Sequence, residues 1–435
     1  MSMPAFALPA LSATQRHRLA SATAVVAWYC TRVLLVLFAL RHPTTRTDVF
    51  YFYGGVRREQ AGQADAMREY PDLTVWIPRL LHHLVGDNKD QFVVAFAVAI
   101  LTLDAILCWM LARRRAWVAL GFWLAFSLVL GPLFIRRLDL LPGLLVAVAA
   151  LWVGSASPAA SALVGLAACA KLWPVALVAG LVGHWRAGGT WLRLAWAGLA
   201  IVAVSTITAM TRGWARVVSP LVYQQERGLH VEAVPATPLL WFHAKDPQRW
   251  PIDFAESKCF EIFGPHVSTL LAVSTWASVA VAAGVLVVVG VRFVRTGGRD
   301  PLVTRVLWLT TVLGIMVTAK VLSPQYMLWL GPLVAAVVAC DLKTRTAAGQ
   351  VVWRWQPAVI AVCVLGAAYA TTQIFPLHYA GMVSNSHRDD IAYVIAACRN
   401  GLLLVAFGVS VAWLVSAFRA ETRRALAASH GGPKE

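Results

Sequence analysis

The sequence predicts an all-α polytopic membrane protein, with about 12 transmembrane helices and two long outer loops in a single domain over residues 1–435. Three observations predict this class. Of the 435 residues, 59% are hydrophobic and only 14% are charged, and the mean hydropathy is +0.66, so the apolar residues exceed what a globular core can bury. Many apolar runs approach the length of about 20 residues that a helix needs to cross a bilayer. They are rich in Ala, Leu and Val without alternation at period 2, which excludes a transmembrane barrel.

The apolar runs, taken in order, give twelve predicted crossings. Each is a continuous hydrophobic stretch between polar or charged segments, and a helix satisfies its own backbone hydrogen bonds in lipid. The sixth depends on a break at Lys171-Leu172-Trp173-Pro174, because hydropathy alone would join residues 159–182 into one helix. The crossings lie at about residues 20–40, 92–112, 117–130, 133–153, 159–170, 172–182, 192–210, 268–291, 302–319, 326–340, 358–374 and 391–417.

Basic clusters set the orientation and require that break. Lys and Arg concentrate on the cytoplasmic side of membrane proteins, and here an even number of crossings must separate Arg115 from Arg186 to put every cluster on that side. The clusters lie at residues 113–115, 184–186, 292–305, 343–354 and 419–424. The loops at about 41–91 and 212–267 are then outside, and they carry seven and six of the 21 acidic residues. The net charge of +17 is therefore a topology signal in a plasma-membrane protein with a cytoplasmic tail at 418–435, and we infer no nucleic-acid partner from it.

Asp48 is the first acidic residue of the chain, eight residues beyond the first predicted crossing and within an aromatic-rich segment. A carboxylate just outside the membrane could take a proton from a substrate at the lipid surface. The alternative is a solvated loop acid, or the N-cap of a helix that starts at Val49.

Five short motifs follow one another along the chain. They are Thr47-Asp48-Val49-Phe50-Tyr51-Phe52-Tyr53, Arg136-Arg137-Leu138-Asp139-Leu140-Leu141-Pro142, Ala170-Lys171-Leu172-Trp173-Pro174, Glu226-Arg227-Gly228-Leu229-His230-Val231-Glu232 and Ser323-Pro324-Gln325-Tyr326-Met327-Leu328-Trp329. In this order they resemble glycosyltransferase family 87, actinobacterial membrane enzymes of the GT-C fold. That family includes the polyprenyl-phosphate-mannose-dependent α-mannosyltransferases of phosphatidylinositol mannoside and lipoglycan synthesis. The resemblance covers the chain from the first helix to about Trp329.

The resemblance implies an inverting glycosyltransferase that works on the outer face of the membrane. Its donor would be a polyprenyl-phosphate sugar, most often mannose, and its acceptor a glycolipid or lipoglycan among the membrane lipids. Asp48 falls on the acidic position of the family and is expected to be the general base. The leaving polyprenyl phosphate needs fixed cations, and the candidates are Lys171, Arg227 and Lys320. Lys171 could instead snorkel to lipid headgroups.

A second group of residues is expected to bind the sugar or the acceptor. It consists of Arg137, Asp139, Glu232, Gln325 and Tyr326. Two of these have a structural alternative. Asp139 could form an ion pair with Arg136 and Arg137 at a helix start, and Glu232 could pair with Arg227.

Other functions and cofactors remain open at this point. Within the same family, an arabinofuranosyltransferase that uses decaprenyl-phosphate arabinose is the alternative. From another class, a lipid-linked sugar transporter or flippase would also be polytopic, although such proteins gather polar residues at mid-membrane. The chain has no DxD motif, and no cofactor is certain, with a divalent metal left open.

Two charges fall inside predicted crossings. Arg32 lies in the first and Asp104 in the second, where an unpaired charge is costly. Their depths differ, so we expect a structural or water-bridged role.

Overall fold

The computed structural model describes residues 12–63, 65–155, 157–223, 227–295, 299–345, 349–386 and 390–430. Within these ranges, seven helices are long and apolar enough to cross a membrane: His17–Arg41, Lys89–Arg113, Gly188–Arg212, Val267–Arg295, Pro301–Thr318, Trp355–Met382 and Asp390–Ala427. Three shorter apolar helices accompany them. The predicted class, a helical polytopic membrane protein, is confirmed, while the count of twelve crossings stays a prediction.

The helices run along the chain as follows: α1 Ala13–Arg41, α2 Thr47–Gln60, α3 Asp72–Val85, α4 Lys89–Arg113, α5 Trp117–Val129, α6 Pro132–Ile135, α7 Leu140–Trp152, α8 Ala159–Ala170, α9 Gly188–Arg212, α10 Trp214–Tyr223, α11 Thr237–Lys245, α12 Val267–Arg295, α13 Pro301–Thr318, α14 Met327–Asp341, α15 Trp355–Thr372, α16 Tyr379–Met382 and α17 Asp390–His430. Two small antiparallel hairpins pair β1 Ile252–Phe254 with β2 Phe260–Ile262, and β3 Lys343–Arg345 with β4 Val351–Trp353.

Helix α14 lies at the centre of the molecule. Nearly all of its residues are buried, and it packs against α5, α7, α13 and α15. Small residues let these helices approach closely, as is usual for helix packing in lipid. On α7, a Cβ atom added to Gly143 would lie 2.0 Å from the carbonyl oxygen of Leu328. The contact between α7 and α14 therefore depends on glycine at that position.

The helix break predicted at Lys171 is present. Helix α8 ends at Ala170, and Lys171 has an extended backbone with φ −154° and ψ 150°. A 3-10 helix over Trp173–Leu181 follows, with Pro174 in its first turn. Its Leu177 carbonyl accepts a hydrogen bond of 2.7 Å from the indole of Trp308 in α13. The break turns the Lys171 side chain out of the regular helical path.

The two predicted outer loops are largely ordered. The first contains α2 and α3, and the second contains α10, α11 and the β1–β2 hairpin. Helix α10 holds the connection between α2 and α3, because Arg216 donates to the carbonyls of Ala66 and Tyr70 (3.4 and 3.2 Å), and Ser219 donates to that of Arg68 (2.9 Å). The two loops are thus joined to each other.

The intramembrane charges Arg32 and Asp104 form a direct, two-pronged ion pair. Arg32 Nε donates to one carboxylate oxygen at 2.8 Å, and Nη2 donates to the other at 2.5 Å. The indoles of Trp28 and Trp123 also donate to Asp104, at 2.7 and 2.8 Å. The expected structural role fits this contact, and the pairing needs no bridging water, because the arginine spans the difference in depth.

Most of the segment predicted as a cytoplasmic tail is helical. Helix α17 runs without interruption to His430, so residues 418–430 continue the last helix, and residues 431–435 lie outside the described ranges. Ion pairs explain the extension: Glu421 accepts from Arg292 at 2.9 Å, and Arg424 donates to Asp300 at 2.6 Å.

Candidate functional site

Asp48 lies in the first turn of α2, which begins at Thr47. It is not the N-cap, a position held by Arg46, so the expected alternative of a capping role is wrong. Its carboxylate stands 2.9 Å from Arg137 Nε and is 28% exposed. Burial raises the pKa of Asp48, Arg137 opposes that rise, and the neighbouring carboxylate of Asp139 adds to it. Asp48 is therefore a partly accessible carboxylate whose basicity exceeds that of an ordinary aspartate.

The two arginines before Asp139 have separate tasks. Arg136 donates to the carbonyls of Ala39 (2.5 Å) and His42 (2.7 Å), which close the end of α1. Arg137 turns instead toward Asp48. The ion pair expected between these arginines and Asp139 is wrong, because Asp139 has other partners.

Asp139 connects three parts of the chain. Its carboxylate accepts from Lys171 Nζ at 2.5 Å and from the indole of Trp329 at 2.7 Å. Lys171 lies at the break after α8, and Trp329 lies in the first turn of α14. Asp139 therefore fixes a lysine that the sequence associates with phosphate binding, and it is itself almost fully buried.

An aromatic wall surrounds the Lys171 ammonium. Its Nζ atom lies 5.4 to 5.9 Å from the ring centres of Tyr70, Tyr326 and Trp329, distances at which cation–π attraction acts. The Tyr326 and Trp329 rings stack at 3.7 Å, and Trp173 stacks on Trp329 at 5.2 Å.

A cavity of about 220 Å³ opens beside this wall. Both Lys171 and Lys320 line it, together with the aromatic rings and one acidic side chain, Glu69. The apolar part of the lining includes Ile315, one turn inside α13. The remaining lining residues are Pro71, Leu172, Trp173, Ala319, Val321, Tyr326 and Trp329. The cavity thus combines cationic, aromatic and aliphatic surfaces, as an amphiphilic anion requires.

Lys320 and Arg227 lie next to each other. The Lys320 ammonium donates to the carbonyl of Arg227, and the Lys320 carbonyl accepts from the amide of His230 at 2.9 Å. The guanidinium of Arg227 contacts the Tyr326 hydroxyl. Of the three cations expected to bind phosphate, Lys171 and Lys320 line the cavity, whereas Arg227 is not among its lining residues and contacts Tyr326.

Glu232 is not paired with Arg227, contrary to the structural alternative. It is fully buried and accepts from Arg399 Nη1 of α17 at 2.5 Å, while Arg399 Nη2 donates to its carbonyl at the same distance. Glu232 is not among the residues that line the cavity described above, and its expected role in binding the sugar or the acceptor stays a prediction. The neighbouring motif residue Glu226 lies outside the described ranges.

Gln325 and Tyr326 begin the segment that leads into α14. Tyr326 is buried and forms part of the cavity wall, whereas Gln325 is half-buried. Three residues near the site carry no signal in the sequence: Glu69, Tyr70 and Arg399. Each lies far from its partners along the chain, so only the fold brings them together.

Among the described residues, no group of three or more His, Cys, Asp or Glu side chains could hold a metal ion. Comparison of the chain with protein-family models, with curated proteins and with solved structures finds no match in any of the three.

Proposed function

We propose that this protein is an inverting glycosyltransferase that takes a sugar, mannose by family resemblance, from a polyprenyl phosphate. The observation that carries the proposal is the cavity lined by Lys171, Lys320 and stacked aromatic rings, with two of its lining residues, Lys171 and Glu69, close enough to the partly exposed Asp48 carboxylate to influence its pKa. The acceptor is a glycolipid or lipoglycan on the outer face of the plasma membrane. We also propose that the protein is a member of glycosyltransferase family 87 and has the GT-C fold.

The reaction needs one base and one set of cations. The acceptor hydroxyl oxygen attacks the anomeric carbon, its proton passes to Asp48, and the bond from the anomeric carbon to the phosphate oxygen breaks. Negative charge then grows on the polyprenyl phosphate, where the ammonium groups of Lys171 and Lys320 stabilise it in a partly dry cavity. The polyprenyl chain would follow the apolar lining past Ile315 toward the lipid.

Arg137 supports this assignment of roles. Its guanidinium holds the Asp48 carboxylate at 2.9 Å and limits the rise in pKa that burial causes. Burial thus makes Asp48 a stronger base than a solvated aspartate, while Arg137 favours its ionised form.

Replacing Asp48 by asparagine tests the proposal. Asp48→Asn keeps the size of the side chain but removes its basicity, so sugar transfer should fall by at least about 10²-fold while the donor lipid still binds. The measurement is product formation by purified protein in lipid nanodiscs, with polyprenyl-phosphate mannose and an extracted glycolipid acceptor. Asp253→Asn makes the same change at an exposed position of β1 and should leave transfer unchanged.

Three outcomes would contradict the proposal in different ways. Near-normal transfer by well-folded Asp48→Asn protein would remove Asp48 from the base role. Transfer with polyprenyl-phosphate arabinose but not mannose would change the donor sugar. Movement of the donor lipid across the membrane without transfer would make the protein a flippase.

A further inference from the structure

Glu69 is the acidic residue that lines the cavity. The two other carboxylates nearby are engaged, since Asp48 is paired with Arg137, and Asp139 is held by Lys171 and Trp329. Glu69 is half-buried, and one of its oxygens accepts a hydrogen bond from the Tyr51 hydroxyl. A carboxylate has about four acceptor positions, so this bond leaves room for a ligand in the cavity.

The segment that carries Glu69 is held in place by both outer loops. Met67 is 1% exposed and has a left-handed backbone with φ 57°. Its side chain fills the space over Gly55 of α2, where an added Cβ atom would lie 2.6 Å from the Met67 sulfur. Arg216 and Ser219 of α10 bind carbonyl groups on both sides of Glu69. The carboxylate is thus presented from an anchored backbone.

An ionised carboxylate only accepts hydrogen bonds, so its ligand must be a donor. The phosphate of a lipid is excluded as that donor by like charge, and Lys171 already has Asp139 as a partner. Sugar hydroxyls fit, because two neighbouring hydroxyls can donate to the two oxygens of one carboxylate. The stacked rings of Tyr326 and Trp329, which line the same cavity, offer an apolar surface for the C–H face of a pyranose.

We propose that Glu69 binds the hydroxyl groups of the donor sugar in the cavity that Tyr326 and Trp329 also line, while Lys171 and Lys320 bind the phosphate. This inference rests on the proposed function and adds to it a residue that recognises the sugar. Glu69 is a binding residue here, and Asp48 keeps the proton-transfer step.

The test compares the affinities of two lipids for the same protein. Wild-type protein in nanodiscs should bind polyprenyl-phosphate mannose about 10-fold more tightly than bare polyprenyl phosphate, because hydrogen bonds to a charged acceptor are the strong ones. Glu69→Gln should lose most of that difference and leave the affinity for bare polyprenyl phosphate unchanged. Glu256→Gln, at an exposed position of the second outer loop, is the matched control and should behave as wild type.

A second variant keeps the test decisive if Glu69→Gln folds poorly. Tyr51→Phe removes only the hydroxyl that holds Glu69, and it should reduce the sugar-dependent affinity about 3-fold. An undiminished preference for the sugar-bearing lipid in both variants would overturn the inference.

The kinetics separate this inference from the proposed function. Wild-type protein that binds neither lipid would contradict the proposed function itself. Wild-type transfer combined with a full sugar preference in Glu69→Gln would contradict only the role of Glu69. Abolished turnover in Glu69→Gln, with unchanged affinities for both lipids, would also overturn the proposed sugar-binding role, since Glu69 would then act in proton transfer.

Discussion

At the scale of single residues, the site is a set of charges that restrain one another. Asp48 has Arg137 as its cation, and Asp139 has Lys171. The two pairs lie close enough for each carboxylate to influence the other, because Asp139 adds to the rise in the Asp48 pKa. A change in either cation should therefore alter the titration of Asp48.

Removing Arg137 should shift the pH dependence of transfer. Arg137 favours the ionised form of Asp48, whereas burial favours the neutral form, so Arg137→Gln should raise the pKa of Asp48 further. The base form is then lost at a higher pH, and the acid limb of kcat/KM should move to higher pH. A pH profile of transfer measures this, with Arg249→Gln, at an exposed position of the second outer loop, as the control. An acid limb that stays in place or moves to lower pH would show that another group sets it.

The sequence indicates some of these residues and not others, for a physical reason. Asp48 and Lys171 stand out because a charge next to an apolar run is conspicuous by itself. Glu232 and Arg399 are 167 residues apart, and nothing local in either segment selects the other. Glu69 is one of seven acids in the first outer loop, and only the position of its segment over the cavity distinguishes it.

At the scale of helices, the site depends on how closely α7 and α14 pack. Asp139 immediately precedes α7, and Trp329 lies in α14. The indole of Trp329 donates a hydrogen bond of 2.7 Å to the Asp139 carboxylate. Gly143 permits the contact, because its neighbour is the backbone carbonyl of Leu328 rather than a flexible side chain.

Gly143→Ala should destabilise the protein by about 1 to 3 kcal/mol, because the added methyl group forces the two helices apart. Thermal unfolding in nanodiscs, followed by tryptophan fluorescence, measures the loss. Gly198→Ala in α9 is the matched control, since its added Cβ atom meets nothing within 4 Å. That substitution should be neutral or stabilising, as alanine is the better helix former. Equal unfolding temperatures for the two variants would contradict the packing argument.

The sequence predicts the helices that cross the membrane better than the helices within the long loops. The break after α8 is found because charge placement requires it, even though hydropathy does not. Helices α3, α10 and α11 lie in segments that the sequence identifies only as loops, because contacts between distant segments order them. The same holds for the end of α17, where Glu421 forms an ion pair with Arg292 of α12.

At the scale of the whole molecule, the orientation in the membrane is the property that the proposed function needs most. Asp48 and the cavity share one side with the β1–β2 hairpin in the predicted topology, and the end of α17 lies on the other side. Exposed residues are available on both sides for a direct test, among them Glu256 and Arg423.

A membrane-impermeant maleimide should label Glu256→Cys in intact cells and leave Arg423→Cys unlabelled until the membrane is permeabilised. The reason is that the basic clusters follow the positive-inside rule only in this orientation. Mass shift on a gel measures the labelling, with the unsubstituted chain as the background for its own cysteines. The reverse pattern would place the cavity in the cytoplasm and overturn the proposed function.

The pair between Glu232 and Arg399 also has a consequence for biogenesis. Arg32 and Asp104 are 72 residues apart and lie in α1 and α4, so they can meet while most of the chain is still on the ribosome. Glu232 meets its cation only after Arg399 of α17, 167 residues further along the chain, has been synthesised. A nascent chain released before α17 carries a buried carboxylate without its cation, at a cost of about 3 to 5 kcal/mol. The segment that holds Glu232 is therefore expected to reach its final form only after α17 has been synthesised.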